Sequence, residues 1–208
     1  MELRADRITF HYGAGGREIW KNFSMSLKSG ERLGFMAPSG FGKTTLLKLL
    51  SGYERPASGE VFLDGRPVSE YRGFCPVQLI WQHPEEALNP RLKVGRALNR
   101  GGPTPQRILD GLGILPEWMD RYPSELSGGE MQRFCIARAL RPEVKFLLAD
   151  EITSMLDLIT QSQIWNFLIE ETERRQIGML IVSHSESLLR RVSRLAELAA
   201  DGEGNCLR

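Results

Sequence analysis

Residues 37 to 44 read Ala-Pro-Ser-Gly-Phe-Gly-Lys-Thr, and Thr45 follows. A loop with so little side chain, ending in a lysine at the start of a leucine-rich run, suits phosphate. Backbone N–H groups from Ser39, Gly40, Phe41, Gly42, Lys43, Thr44 and Thr45 can point into one concavity, and a helix N-terminus adds partial positive charge. Lys43 then reaches the outer phosphates, and the Thr44 hydroxyl binds Mg²⁺. A glycine turn that only caps a helix has a similar look. The apolar "LGFMA" before the loop and the helical "LLKLL" after it favour phosphate binding.

Two more stretches carry chemistry. "FLLADE", residues 146–151, is an apolar run that ends in two adjacent carboxylates. In an open parallel sheet the ligand crevice lies at the C-terminal ends of the strands, so Asp150 and Glu151 arrive beside the phosphates. Asp150 suits a Mg²⁺-linked role through bound water, and Glu151 suits a base that orients the attacking water. On its own, such a strand end is ordinary; the loop upstream gives it meaning. "LSGGE", residues 126–130, opens a helix with Ser127, Gly128 and Gly129, which makes a second anion site. One nucleotide does not need two such sites from one chain. A head-to-tail dimer does, with the loop of one subunit and the SGGE of the other enclosing it.

The intervening pattern supplies the elements that must position these groups. "ELRADRITFHY" alternates like a strand with one wet face, and "WKNFSMSLKSGERLGFMA" reads as strand, turn at Ser29-Gly30, and strand. Residues 43–51 read as a helix closed by Gly52, and "SGEVFLDGRPV" as a hairpin turning at Asp64-Gly65. "VQLIWQ", "VKFLLADE" and "GMLIVSH" are buried strands. "SGGEMQRFCIARALR" and "SESLLRRVSRLAEL" read as helices. So does "QSQIWNFLIEETERR", with Ile164, Phe167 and Leu168 inward and Glu170, Glu171 and Glu173 outward. Alternating strands and helices predict an α/β fold with a mainly parallel sheet and an antiparallel β region at the N-terminus. From about residue 83 to 140 the prolines multiply and the pattern turns to short helices. This predicts a small helical lobe inserted in a core of residues 1–82 and 141–208.

Taken together, the motifs resemble those of an ATP-binding-cassette ATPase, in that family's order, from about residue 3 to residue 195. Tyr12 sits where an aromatic stacks on adenine. "APSGFGKTT" resembles the Walker A loop, Gln82 in "LIWQHP" the Q-loop, "LSGGE" the signature and "FLLADE" Walker B. "SMLD" up to Asp157 resembles the D-loop, and His184 in "LIVSHS" the switch histidine. The resemblance implies a single nucleotide-binding domain over residues 1–208, an ATPase that uses ATP and Mg²⁺. It implies Glu151, His184 and Gln82 as catalytic residues, and Thr44, Gln82 and Asp150 at the metal. Tyr12, Ser127, Gly128, Gly129, Glu130 and Asp157 would join the Walker A residues in holding nucleotide. His11 and His83 read as ordinary histidines, and Trp20, Trp81, Trp118 and Trp165 as packing residues.

Finer features, "LNPRLKVG", "YPSELSGGE" and "LDLITQSQI", look like the peptide and nickel importer branch. That branch pairs two cassette subunits with transmembrane permease subunits and an extracytoplasmic substrate-binding protein, at the cytoplasmic face of the membrane. The compact lobe and the short segment after His184 favour a small cargo such as a dipeptide, nickel or a metal–chelator complex. The sequence departs from the family pattern in four places. Ala37 stands for glycine, Phe41 for a small residue, Glu130 for the common glutamine and Ile152 for the proline after Glu151. None removes a catalytic group. The Phe41 ring must point away from phosphate, toward a partner subunit.

Composition sets the outer bounds. The 208 residues carry a net charge of +1, which gives no bulk field for nucleic acid. Cys75, Cys135 and Cys206 are scattered and form no CxxC pair, which fits a reducing compartment. "MELRADRITFHYG" is too polar for a signal peptide, and no apolar run approaches the roughly 20 residues of a membrane span. One cassette per chain argues against a translation-factor-like protein, and the lack of a long coiled coil argues against a DNA-repair cassette. A soluble cassette ATPase in a phosphonate-degradation assembly is the alternative.

Overall fold

A computed structural model describes residues 1–13, 15–200 and 205–207. The N-terminal part gives β1 (Glu2–His11), β2 (Glu18–Lys28) and β3 (Arg32–Phe35), then α1 (Lys43–Leu50). A hairpin follows, β4 (Ser58–Leu63) and β5 (Arg66–Pro67), and then β6 (Val77–Ile80). Asp64 and Gly65, both at positive φ, make the turn. Between β6 and the next strand come α2 (Pro84–Ala87), α3 (Val94–Leu98), α4 (Gln106–Gly111) and α5 (Gly128–Ala139). The chain closes through β7 (Phe146–Asp150), α6 (Leu158–Arg175), β8 (Gly178–Val182), α7 (Glu186–Val192), β9 (Arg194–Ala196), β10 (Leu198–Ala200) and β11 (Asn205–Leu207).

Two sheets result. One is all parallel, in the order β6-β7-β8-β3-β9. The other runs β10-β11-β2-β1-β4-β5 and is antiparallel except where β11 lies parallel to β2. Alternation along β7 explains the layering. Phe146 and Leu148 join a cluster with the leucines of α1 and the inner face of the antiparallel sheet. Leu147 and Ala149 join the opposite cluster, with α5 and α6. Helix α1 is therefore packed into the layer that also joins the two sheets. Its Leu46, Leu47, Leu49 and Leu50 are at most 1% exposed, each stabilising the fold by about 1.5–3 kcal/mol.

Two expectations need correction. The segment 185–198 is helical only through Val192; Ser193 is extended and β9 then pairs in parallel with β3. Open hydrogen-bonding groups on the edge of β3 override the helical pattern of "SRLAEL". Glu171 was placed on the outer face of α6 but is 1% exposed. Arg107 of α4 and Arg174 reach its carboxylate at 3.2 and 2.7 Å, and Arg175 stands 3.6 Å away. Arg175 also donates to the carbonyls of Leu140 and Pro142, at the end of α5. The helical period itself places Glu171 on the buried face, at i+7 from Ile164 and i+4 from Phe167, and the three cationic neighbours stand there in place of water.

Burial works against the ionised Glu171, but hydrogen bonds from Arg174 and Arg107 outweigh it and hold the carboxyl below its usual 4.5. A depressed folded-state value stabilises the fold above the unfolded value, and that contribution is lost as pH falls through the folded one. Glu171→Gln is expected to lower the unfolding free energy at pH 7 by about 2–4 kcal/mol. In denaturant titrations the gap from wild type should close as the pH drops below the ordinary glutamate range. An unchanged gap there would contradict the ion-pair assignment.

Candidate active site

Strand register sets the site's level. Phe35 of β3 pairs with Val182 of β8, and Val182 pairs with Asp150 of β7. The loop after β3, the carboxylates after β7 and the histidine after β8 therefore leave the sheet at one height, on its C-terminal edge.

The 37–44 loop is braced from beneath. Gly42 has φ 96°, and a Cβ there would stand 2.4 Å from Ile19 Cγ2 and 3.1 Å from Trp20 Nε1, so only glycine fits. Trp20, 2% exposed, donates its indole N–H to the Gly42 carbonyl at 3.0 Å. Sequence reading took Trp20 for packing alone; it also supports the loop. Phe41 packs its ring edge-on against Trp20 and near Phe35, with centroids 5.6 and 6.2 Å apart. One side of its ring thus meets the chain's own aromatic core, while the residue stays 37% exposed. The Phe41 N–H closes the turn by donating to Pro38 O at 3.2 Å. Lys43 donates to the carbonyls of Ala37 and Pro38 at 2.6 and 3.0 Å, which fold its ammonium back over the loop. Ala37 is buried and does not need positive φ, so its methyl replaces hydrogen without backbone strain. Ser39 and Gly40 are exposed.

At the head of α1 the Thr44 hydroxyl donates to Asp150 Oδ2 at 2.6 Å. Asp150 is 3% exposed, and burial raises its pKa against the lowering effect of that hydrogen bond. Next to it, Glu151 is gripped on both oxygens. His184 Nε2 lies 2.9 Å from Oε1, and Gln82 Nε2 donates to Oε2 at 3.4 Å. The Glu151 main-chain N–H donates to Val182 O at 3.0 Å. Such a carboxylate has a fixed direction and an acceptor side, as a base acting on water requires. Tyr12 is half exposed; its hydroxyl lies 3.2 Å from Thr45 Oγ1 and its ring meets the edge of Phe10. The aromatic ring is thereby tied to the first turn of α1.

Ser127 and Asp157 stand elsewhere and have work within their own helices. Ser127 Oγ accepts from Glu130 N at 3.2 Å, while Glu130 Oε2 accepts from Ser127 N at 2.7 Å. This reciprocal cap is legible as Ser-x-x-Glu, a pattern the reading of Glu130 as a nucleotide-holding departure from glutamine leaves out. The Ser127 N–H holds the Glu130 carboxyl below the usual range. Asp157 caps α6 by accepting from Ile159 N and Thr160 N, both at 3.0 Å, and the Thr160 bond lowers its pKa. Among the described residues no hydrogen bond joins Ser127, Gly128, Gly129, Glu130 or Asp157 to the Thr44–Asp150–Glu151 group.

Among the described residues, no group of three or more His, Cys, Asp or Glu could hold a metal unaided. The paired oxygens of Thr44 and Asp150 do fit Mg²⁺, a hard cation that keeps several waters and takes further ligands from substrate phosphates.

Comparison with known proteins agrees with this geometry. The family model described as ABC transporter matches residues 20–154. A nickel import ATP-binding protein of Rhodospirillum rubrum is 35% identical over 193 residues, covering 84% of this chain and 70% of that protein. A probable D,D-dipeptide transport ATP-binding protein of Escherichia coli is 35% identical over 181 residues, 81% of this chain and 56% of that protein. A bacterial cassette solved as a dimer in a post-hydrolysis state, with ADP and Pi, is 25% identical at a TM-score of 0.81, covering 93% of each chain. With a family match over most of its length and a phosphate loop, paired carboxylates and histidine on one sheet edge, the chain belongs to the ABC transporter family and is one of its ATP-hydrolysing cassettes.

Proposed function

We propose that the chain is the ATP-hydrolysing subunit of an importer, driving uptake of a small substrate through partner membrane subunits. The observation that carries the hydrolytic part is Glu151, held between His184 and Gln82 one residue from the Thr44–Asp150 pair. The loop amides and Lys43 bind the phosphates. Thr44 and Asp150, with Gln82 nearby, hold Mg²⁺, which when bound neutralises charge on the outer phosphates. Glu151 orients the attacking water and accepts its proton, His184 steadies the carboxylate, and Tyr12 stacks on adenine. The import direction and the cargo class, a peptide, nickel or a metal–chelator complex, rest on what the similar proteins are named for. No observation favours the non-transport reading.

The working unit in this reading is a pair of cassettes, the Ser127–Glu130 segment of one closing over the loop of the other. The exposed start of α5 supports it, as do the exposed side chains that flank Asp157: Met155 at 59%, Leu158 at 81% and Ile159 at 73%. Such an apolar group suits a covering partner. The permease would dock near Gln82 to Val94, between the core and the helical lobe of about 83–140, with a substrate-binding protein supplying cargo from outside. Docked in this way on permease subunits, the chain would attach peripherally at the cytoplasmic face; no helix among the described residues is long and apolar enough to cross a membrane.

Three variants test this. Lys43→Ala should fold and lose at least about tenfold in ATP affinity by calorimetric titration, the scale of one lost charged hydrogen bond; unchanged affinity rejects the loop as the phosphate site. Glu151→Gln should keep ATP binding and slow phosphate release by at least roughly 10²-fold; a wild-type rate rules out Glu151 as the base. Ser127→Arg should still bind ATP yet show no ATP-dependent association with its partner cassette on size exclusion, because the long side chain fills the partner's phosphate site. Association that survives the change defeats the shared-site reading.

A further inference from the structure

Gln132 lies in α5, one turn beyond the Ser127 cap, and is 4% exposed. Its Nε2 donates to the carbonyl of Trp81 at 3.1 Å. The other end of the same amide, Oε1, is the one buried side-chain polar atom without a hydrogen-bond partner among the described residues. Folded chains leave few such acceptors unmatched, because each gives up its contact with water for nothing. Gln132 lines a small cavity of about 10 Å³ together with Gln82, Gly128, Glu151 and Ile152. Gln132 thus lines the same small space as Glu151. It also shares that space with Gln82, whose amide meets Glu151 at the long distance of 3.4 Å.

We infer that Gln132 is a positioning residue whose Oε1 is a second acceptor for the Gln82 side chain. This rests on the reading of Glu151 as the base. The bond to Trp81 O fixes which way the Gln132 amide faces, so Oε1 cannot turn away without losing its donor end. The Gln82 amide then has two stations. On Glu151 Oε2 it completes the grip on the carboxylate. On Gln132 Oε1 it releases that oxygen to take a water proton. One hydrogen bond replaces another, so the two arrangements lie close in energy and small shifts of α5 select between them. Helix α5 begins at the Ser127 cap, so the same rigid element joins the signature segment to the residue that frees the base.

The test is a double-mutant cycle on ATP turnover, in the complex purified through a tag on this chain. Gln132→Met removes both ends of the amide at nearly constant length. It is expected to lower kcat by about tenfold, with KM for ATP within about twofold, the pattern of a group that acts after binding. Combined with Gln82→Ala it should be no slower than Gln82→Ala alone, because both changes abolish the same exchange. Gln132→Leu is a second variant without an acceptor and carries the cycle if melting shows that Gln132→Met does not fold. Multiplying effects in either cycle, wild-type kcat in Gln132→Met, or wild-type kcat in Gln82→Ala would overturn the inference. If Glu151→Gln is inactive while the effects multiply, only the role of Gln132 falls. If Glu151→Gln turns over normally, the base assignment falls first.

Discussion

The site depends on the registration of three parallel strands. Phe35, Val182 and Asp150 lie side by side, so three chain segments that are distant in sequence leave the sheet at one level. A slip of one residue would reverse every side chain on the strand and move its loop by over 3 Å. The buried runs of β7 and β8 resist that slip, since every residue in both strands is buried. The reach from Thr44 to Asp150, 2.6 Å across a separation of 106 residues, follows from this alignment.

Charge inside the fold is handled by pairing, in two different ways. Asp150 is buried with a neutral hydroxyl partner, and its charged form is disfavoured. Such a carboxylate gains by meeting a cation, which suits a place beside a metal and triphosphate. Glu171 is as deeply buried but has guanidinium partners from both α4 and α6, and its charged form is favoured. The first arrangement is poised for a ligand, while the second is satisfied within the chain and ties the helical segment to α6.

The elements that bear chemistry were legible because each has a sequence pattern with a physical cause. Glycines in the Ala37–Thr44 loop, the apolar run into Asp150 and the strand before His184 all point to one sheet edge, and the structure brings Thr44, Asp150, Glu151, Gln82 and His184 together there. What escaped was whatever needs a partner distant in sequence. The Arg107 partner of Glu171 lies 64 positions away, and β9 depends on an open edge of β3. The support of Gly42 by Trp20 joins a loop to a neighbouring sheet, and no spacing rule announces it. The Ser127–Glu130 cap and the Asp157 cap of α6 are local, and the sequence reading left both out.

One backbone feature bears on the residue that follows Glu151. Glu151 sits at φ 48°, in the left-handed region, which side chains other than glycine enter at a cost of about 1–2 kcal/mol. A proline pushes the residue before it toward extended geometry, away from that angle. Ile152, 3% exposed and packed in the main cluster, imposes no such limit. Isoleucine therefore gives Glu151 a backbone freedom that proline would withhold. A proline at position 152 would turn Glu151 out of this angle and away from its contacts with His184 and Gln82.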